Sequence, residues 1–118
     1  MSDNAFLEKL FGEIESRRGA SPETSYSAQL LADLPRAARK VGEEGVEAAI
    51  AALSGDDAEL VGEAADIIYH LMVLLAARGL TLAQVVEELQ RREGVSGLAE
   101  KAARSKKSEK GPEEGDGA

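Results

Sequence analysis

The stretch EAADIIYHLMVLLAA, residues 63–77, constrains the fold of this chain more than any other. Beyond Asp66 its apolar residues surround a helix axis on nearly every side, the pattern of a central, buried helix. Glu63, Asp66 and His70 nevertheless share one stripe of that helix, since each residue advances about 100°. Acids set into an apolar helix need a proton, a cation or a polar partner. The fold must bury this helix and also provide that relief.

Local signals bound the helix. Asp56 and Glu59 form a D-x-x-E capping box at its start, and Gly79 ends it after about Arg78. Upstream, Pro35 suits a first helical turn and opens a helix that runs to about Leu53, with Gly55 as its stop. Lys40, Glu43, Glu44 and Glu47 fall on one stripe of it, and Val41, Gly45, Val46, Ala48, Ala49, Ile50 and Leu53 occupy the other side. The short connection makes the two helices antiparallel neighbours, and a moderate crossing angle brings their acidic stripes together.

Phe6, Leu7, Leu10, Phe11 and Ile14 repeat at helical spacing within residues 4–16. A loop follows over 17–25 and a short helical turn over 26–32. Thr81 with Gln84 opens a last helix, 82–92, whose buried stripe is Leu82, Val85, Val86 and Leu89. Gly94 and Gly97 break it, and residues 98–104 add a short turn. The expected architecture is all-α, with four main helices in a domain spanning 1–104 and a disordered charged tail over 105–118. With 3% aromatic residues and no Trp, the core is aliphatic and Ala-rich. A bundle this small completes its core by dimerisation.

Composition removes several possibilities. A net charge of −8 argues against nucleic acid as a partner. Without cysteine there are no disulfides, thiolate zinc sites or cysteine nucleophiles. The N-terminus lacks a signal-peptide pattern, and the apolar run 67–77 is short for a membrane span and interrupted by His70. A cytoplasmic protein is expected. G-E-E-G at 42–45 is not a phosphate-binding glycine loop, and no Ser–His or Cys–His pair is evident.

Spacing alone leaves the acids open to two interpretations. Three glutamates on one stripe suit a solvated face, and Glu63 and Asp66 can simply pair with Lys40 or Arg39. Alternatively, Glu43, Glu44, Glu47, Glu63 and Asp66 converge, and a cation relieves their repulsion. Mg²⁺ suits such a site, because it binds a few carboxylates and shares its other positions with phosphates; Mn²⁺ is the substitute. Lys40 is either a phosphate contact or the i, i+4 partner of Glu44. His70 fits a hydrogen-bonded core residue better than a ligand contact, and Tyr69 suits core or interface. Tyr26 and the 17–25 loop suit a base or ribose pocket. Lys101 and Arg104 are candidates for phosphate contact, while Lys106 and Lys107 read as a solubilising tail.

The full string narrows this. K-V-G-E-E-G-V-E (40–47), fifteen further residues, then E-A-A-D-I-I-Y-H (63–70) resembles the E-E-x-x-E … E-x-x-D signature of the all-α, MazG-like nucleotide pyrophosphohydrolases. S-Y-S-A-Q-L-L (25–31), L-L-A-A-R-G-L-T-L (74–82) and S-G-L-A-E-K-A-A-R (96–104) are similar to the phosphoribosyl-ATP pyrophosphatase branch, over about residues 4–104. The resemblance implies Mg²⁺-dependent cleavage of phosphoribosyl-ATP between its α and β phosphates, the second step of histidine biosynthesis. Glu44, Glu47, Glu63 and Asp66 match the ligand positions, and Glu43 a supporting or water-orienting one. A stand-alone homodimer built around the 57–78 helix is expected. A separate phosphoribosyl-AMP cyclohydrolase takes the product, since this chain is short for a fused one and lacks its zinc-binding cysteines. Two other functions compete. One is a house-cleaning (d)NTP pyrophosphatase of the same superfamily. The other is a non-enzymatic helical dimerisation module whose acids are only a solvated face.

Overall fold

The computed structural model describes residues 2–94, 97, 101, 102 and 104. Its elements are α1 (Asp3–Glu15), α2 (Tyr26–Leu31), α3 (Leu34–Ser54), α4 (Asp57–Ala77) and α5 (Leu82–Arg92). Four are long and α2 is the short turn, so the all-α expectation holds. The tail over 105–118 lies outside the described residues.

Side chains set the helix starts. Oxygens of Ser2, Ser25, Asp33 and Asp56 accept from the backbone N–H of Ala5, Ala28, Arg36 and Glu59 at 3.0–3.2 Å. Each fills a donor that a first helical turn leaves open. Gly55 ends α3 at φ 84°, a left-handed conformation that suits glycine. Only Gly55 and Asp56 separate α3 from α4. So short a link folds α4 back along α3, and this is the most extensive helix pairing in the fold. Asp56→Ala should cost about 1 kcal/mol, read as a lower urea midpoint at unchanged slope.

The chain divides after Leu82 into two compact units. The first holds α1 to α4. Its core joins Phe11 and Ile14, Leu30, Ala37, and Met72, Val73 and Ala76, one group from each helix in turn. α1, α2 and α3 all pack on α4, which is therefore central, as its composition requires.

The expectation of a helix buried on nearly every side needs correction. α4 is not covered all round: Val61, Ile68 and Leu71 are exposed, because one chain supplies helices on only part of its circumference. α3 is turned against its own hydropathy. Glu44 is 6% exposed and Ala37 and Ala51 1%, whereas Val46, Ile50 and Leu53 are 61%, 60% and 89% exposed. Small alanines at positions 37 and 51, in step with Glu44 every seven residues, allow close approach on that inward stripe. On α1, Phe6 is exposed while Phe11 and Ile14 are buried.

By length and composition α4 also qualifies as a membrane span, although its apolar run 67–77 is shorter and interrupted by His70. A core helix meets the same test, and α4 supplies Met72, Val73 and Ala76 to the core and carries a buried histidine bonded to the Asp66 carbonyl.

In the second unit no residue of α5 is buried, and Val86 and Leu89 are exposed, contrary to the expected buried stripe. Glu88 binds Arg91 at 2.7 Å and Arg92 at 2.8 Å, and these guanidinium groups hold its carboxyl down to about 2. Gly94 adopts φ 84° past the helix end; Gly97 is itself helical and not a breaker.

Candidate metal centre and active site

The pairing of α3 with α4 builds the site. Glu44 comes from the inward stripe of α3, and Glu63 and Asp66 from the first half of α4. One carboxylate oxygen from each lies within 4.8 Å of the other two. Glu44 is buried, Glu63 half-buried and Asp66 exposed, so the cluster runs from the interior to the surface. Oε1 of Glu63 is sealed from solvent and has no hydrogen-bond partner. Burial foremost, then the negative charge of Glu47, a proton shared with Glu44, and the charges of Glu44 and Asp66 push the Glu63 carboxyl up to about 7.

The other candidates take separate places. Glu47 acts on Glu63 through its charge but stands outside the tight trio. Glu43 also lies outside it, 3.6 Å from Arg39 and 3.5 Å from Lys40. Lys40 reaches Glu44 at 3.4 Å, and that contact is the first cause of an ammonium pKa above its usual value. Lys101 and Arg104 are helical and exposed in the second unit.

A cation fits this donor set. Three hard oxygen donors meet, one buried oxygen lacks any partner, and like charges oppose one another. The three donors are all hard carboxylate oxygens, the kind that suit Mg²⁺ or Mn²⁺. The raised Glu63 pKa gives a test without metal. The folded chain holds this proton above pH 4.5, where the unfolded chain has begun to release it. Stability in EDTA should therefore fall as pH rises from about 4.5 to about 7 and contribute no further slope above that. Thermal melts across that range check the sign.

A polar link joins α2 to this part of α4. The carbonyl of Asp66 can only accept, so His70 donates through Nδ1–H at 2.8 Å. Nε2 is then left to accept from the Tyr26 hydroxyl at 3.1 Å. His70 is buried and satisfied, as expected for a core histidine. Ser27 and Tyr69 make a second bond between their hydroxyls. The Tyr26 ring lies nearly parallel to that of Tyr69, and the Arg36 guanidinium sits 5.8 Å from its centroid. Neither Ser27 nor Arg36 was singled out by motif. Arg36 was accessible to helical arithmetic, because it lies one turn before Lys40 on the acidic stripe.

An all-α fold with acids from two paired helices closing on one point is the arrangement expected of the helical nucleotide pyrophosphohydrolases that the sequence resembles. The particular family follows from comparison. Residues 7–93 match the family model of phosphoribosyl-ATP pyrophosphohydrolase, and the chain belongs to that family. It is similar to a phosphoribosyl-ATP pyrophosphatase of Cereibacter sphaeroides, 58% identical over 83% of this chain and 96% of the relative. One from Erythrobacter litoralis is 60% identical over 83% and 95%. One from Novosphingobium aromaticivorans is 56% identical over 89% and 99%.

Proposed function

We propose that this chain hydrolyses phosphoribosyl-ATP to phosphoribosyl-AMP and pyrophosphate with Mg²⁺, as the second step of histidine biosynthesis. The convergence of Glu44, Glu63 and Asp66 within a member of this family carries the proposal. These three, with Glu47 beside them, would hold the metal. When bound, Mg²⁺ neutralises charge on the phosphate chain and makes the attacking water more acidic. The chain's own part is to place the reactants. One water is consumed: its oxygen bonds to phosphorus, the α–β bridging bond breaks, and the departing phosphate keeps the bridging oxygen. A carboxylate of the cluster orients the water and takes its proton. Glu43 anchors Lys40 at the rim, where the ammonium meets phosphate.

The proposal extends to assembly and place. The exposed apolar residues Val46, Ile50 and Leu53 of α3 and Val61, Ile68 and Leu71 of α4 support pairing of two copies. The enzyme works in the cytoplasm and passes its product to a separate cyclohydrolase.

The assay offers purified protein phosphoribosyl-ATP beside a panel of dNTPs, with Mg²⁺, Mn²⁺ or EDTA. Pyrophosphate release from phosphoribosyl-ATP, lost in EDTA and restored by Mg²⁺, is expected. Turnover of dNTPs alone would favour the house-cleaning activity instead.

A further inference from the structure

The first half of α3 carries three cations, Arg36, Arg39 and Lys40. Two are engaged by acids: Arg39 lies 3.6 Å from Glu43, and Lys40 lies 3.5 Å and 3.4 Å from Glu43 and Glu44. Arg36 differs. Among the described residues no carboxylate pairs with it. Its guanidinium sits instead 5.8 Å from the centroid of Tyr26, a ring 40% exposed to solvent. That ring is not free to swing, because His70 holds its hydroxyl at 3.1 Å. Arg36 thus presents an un-neutralised planar cation beside a fixed aromatic face.

Its distance from the acids gives this meaning. Arg36 precedes Glu44 by eight residues, about 12 Å along the helix axis. The substrate proposed above carries phosphate at both ends, a triphosphate on one ribose and a monophosphate on the other, with the base between. The acidic cluster, with its cation, serves the triphosphate. The monophosphate needs a cation that no carboxylate has already neutralised. A guanidinium meets it with two parallel N–H bonds, and the neighbouring ring offers a surface to the flat base.

We infer that Arg36, held beside Tyr26, binds the far monophosphate of the phosphoribosyl arm and so distinguishes this substrate from nucleotides that lack it. The assignment rests on the reaction proposed above. Steady-state kinetics of R36Q and R36K, with phosphoribosyl-AMP and AMP as product inhibitors, test it. R36Q should raise KM for phosphoribosyl-ATP by about tenfold to a hundredfold, the scale of a charged hydrogen-bonded contact. Inhibition by phosphoribosyl-AMP should weaken by the same factor. Inhibition by AMP, and the Mg²⁺ concentration that half-stabilises the substrate-free protein, should stay within about twofold. R36K keeps the charge but not the fork, and should fall between. An unchanged KM overturns the assignment. Equal weakening of AMP and phosphoribosyl-AMP also overturns it, since Arg36 would then act only through the shared nucleotide part or through Tyr26. If the unsubstituted protein does not turn over phosphoribosyl-ATP, the reaction itself fails and the assignment with it.

Discussion

Glu63→Gln is expected to be nearly inactive and, without metal, more stable than the parent chain. The two effects share one cause. Glu63 carries a buried oxygen with no partner and a carboxyl pushed up to about 7. The folded protein tolerates that charge only at a loss of stability, which a cation would recover. Glutamine keeps the shape and removes the charge, so above pH 7 in EDTA the melting temperature should rise. With the ligand gone, a metal contribution of several kcal/mol to the transition state is impaired, and kcat/KM should fall by about a hundredfold or more. Added Mg²⁺ should stabilise the parent more than the variant. Full activity would remove Glu63 from the site; a lower melting temperature in EDTA would show that the carboxylate supports the fold.

Leu30→Ala is the largest expected loss of stability. Leu30 is fully buried where α2 meets the core. Its truncation leaves a cavity that neighbouring side chains fill only in part, for a loss of about 3 kcal/mol. A small domain has little stability in reserve, so the melting temperature should drop by roughly 10–20 °C. Because α2 also carries Tyr26, KM should rise as that helix loosens, while residual kcat is less affected. A loss below about 1 kcal/mol would mean that the site collapses around the smaller side chain.

The sequence made the helices legible because their limits are local events. Asp56 and Gly55 cap through their own side chain or backbone freedom, and no tertiary information is needed to see them. The partnership of Glu44 with Glu63 and Asp66 was also within reach, since a two-residue link leaves few ways to place α4. Which side of α3 faces inward stays open on spacing alone, because counting apolar residues favours Val46, Ile50 and Leu53 while convergence of the acids favours Glu44; the structure turns Glu44 inward. Burial depends on what a helix meets, and α3 meets α4 through its acids and alanines. The position of Arg36 on the acidic stripe is legible in the sequence, but its lack of an acidic partner is not. Its significance lies in having no acid beside it, and a missing partner becomes visible only once the side chains are placed.

The Gly55–Asp56 link has one more consequence, for how this chain can change length. One residue added there and taken up in helical conformation would turn α4 by about 100° and slide it by about 1.5 Å against α3. Glu63 and Asp66 would leave Glu44, and Met72 and Val73 would leave the core together. Insertions at that hairpin therefore damage chemistry and folding at a stroke. The 17–25 loop joins no such tightly phased pair, so a residue added there should disturb the acidic cluster less.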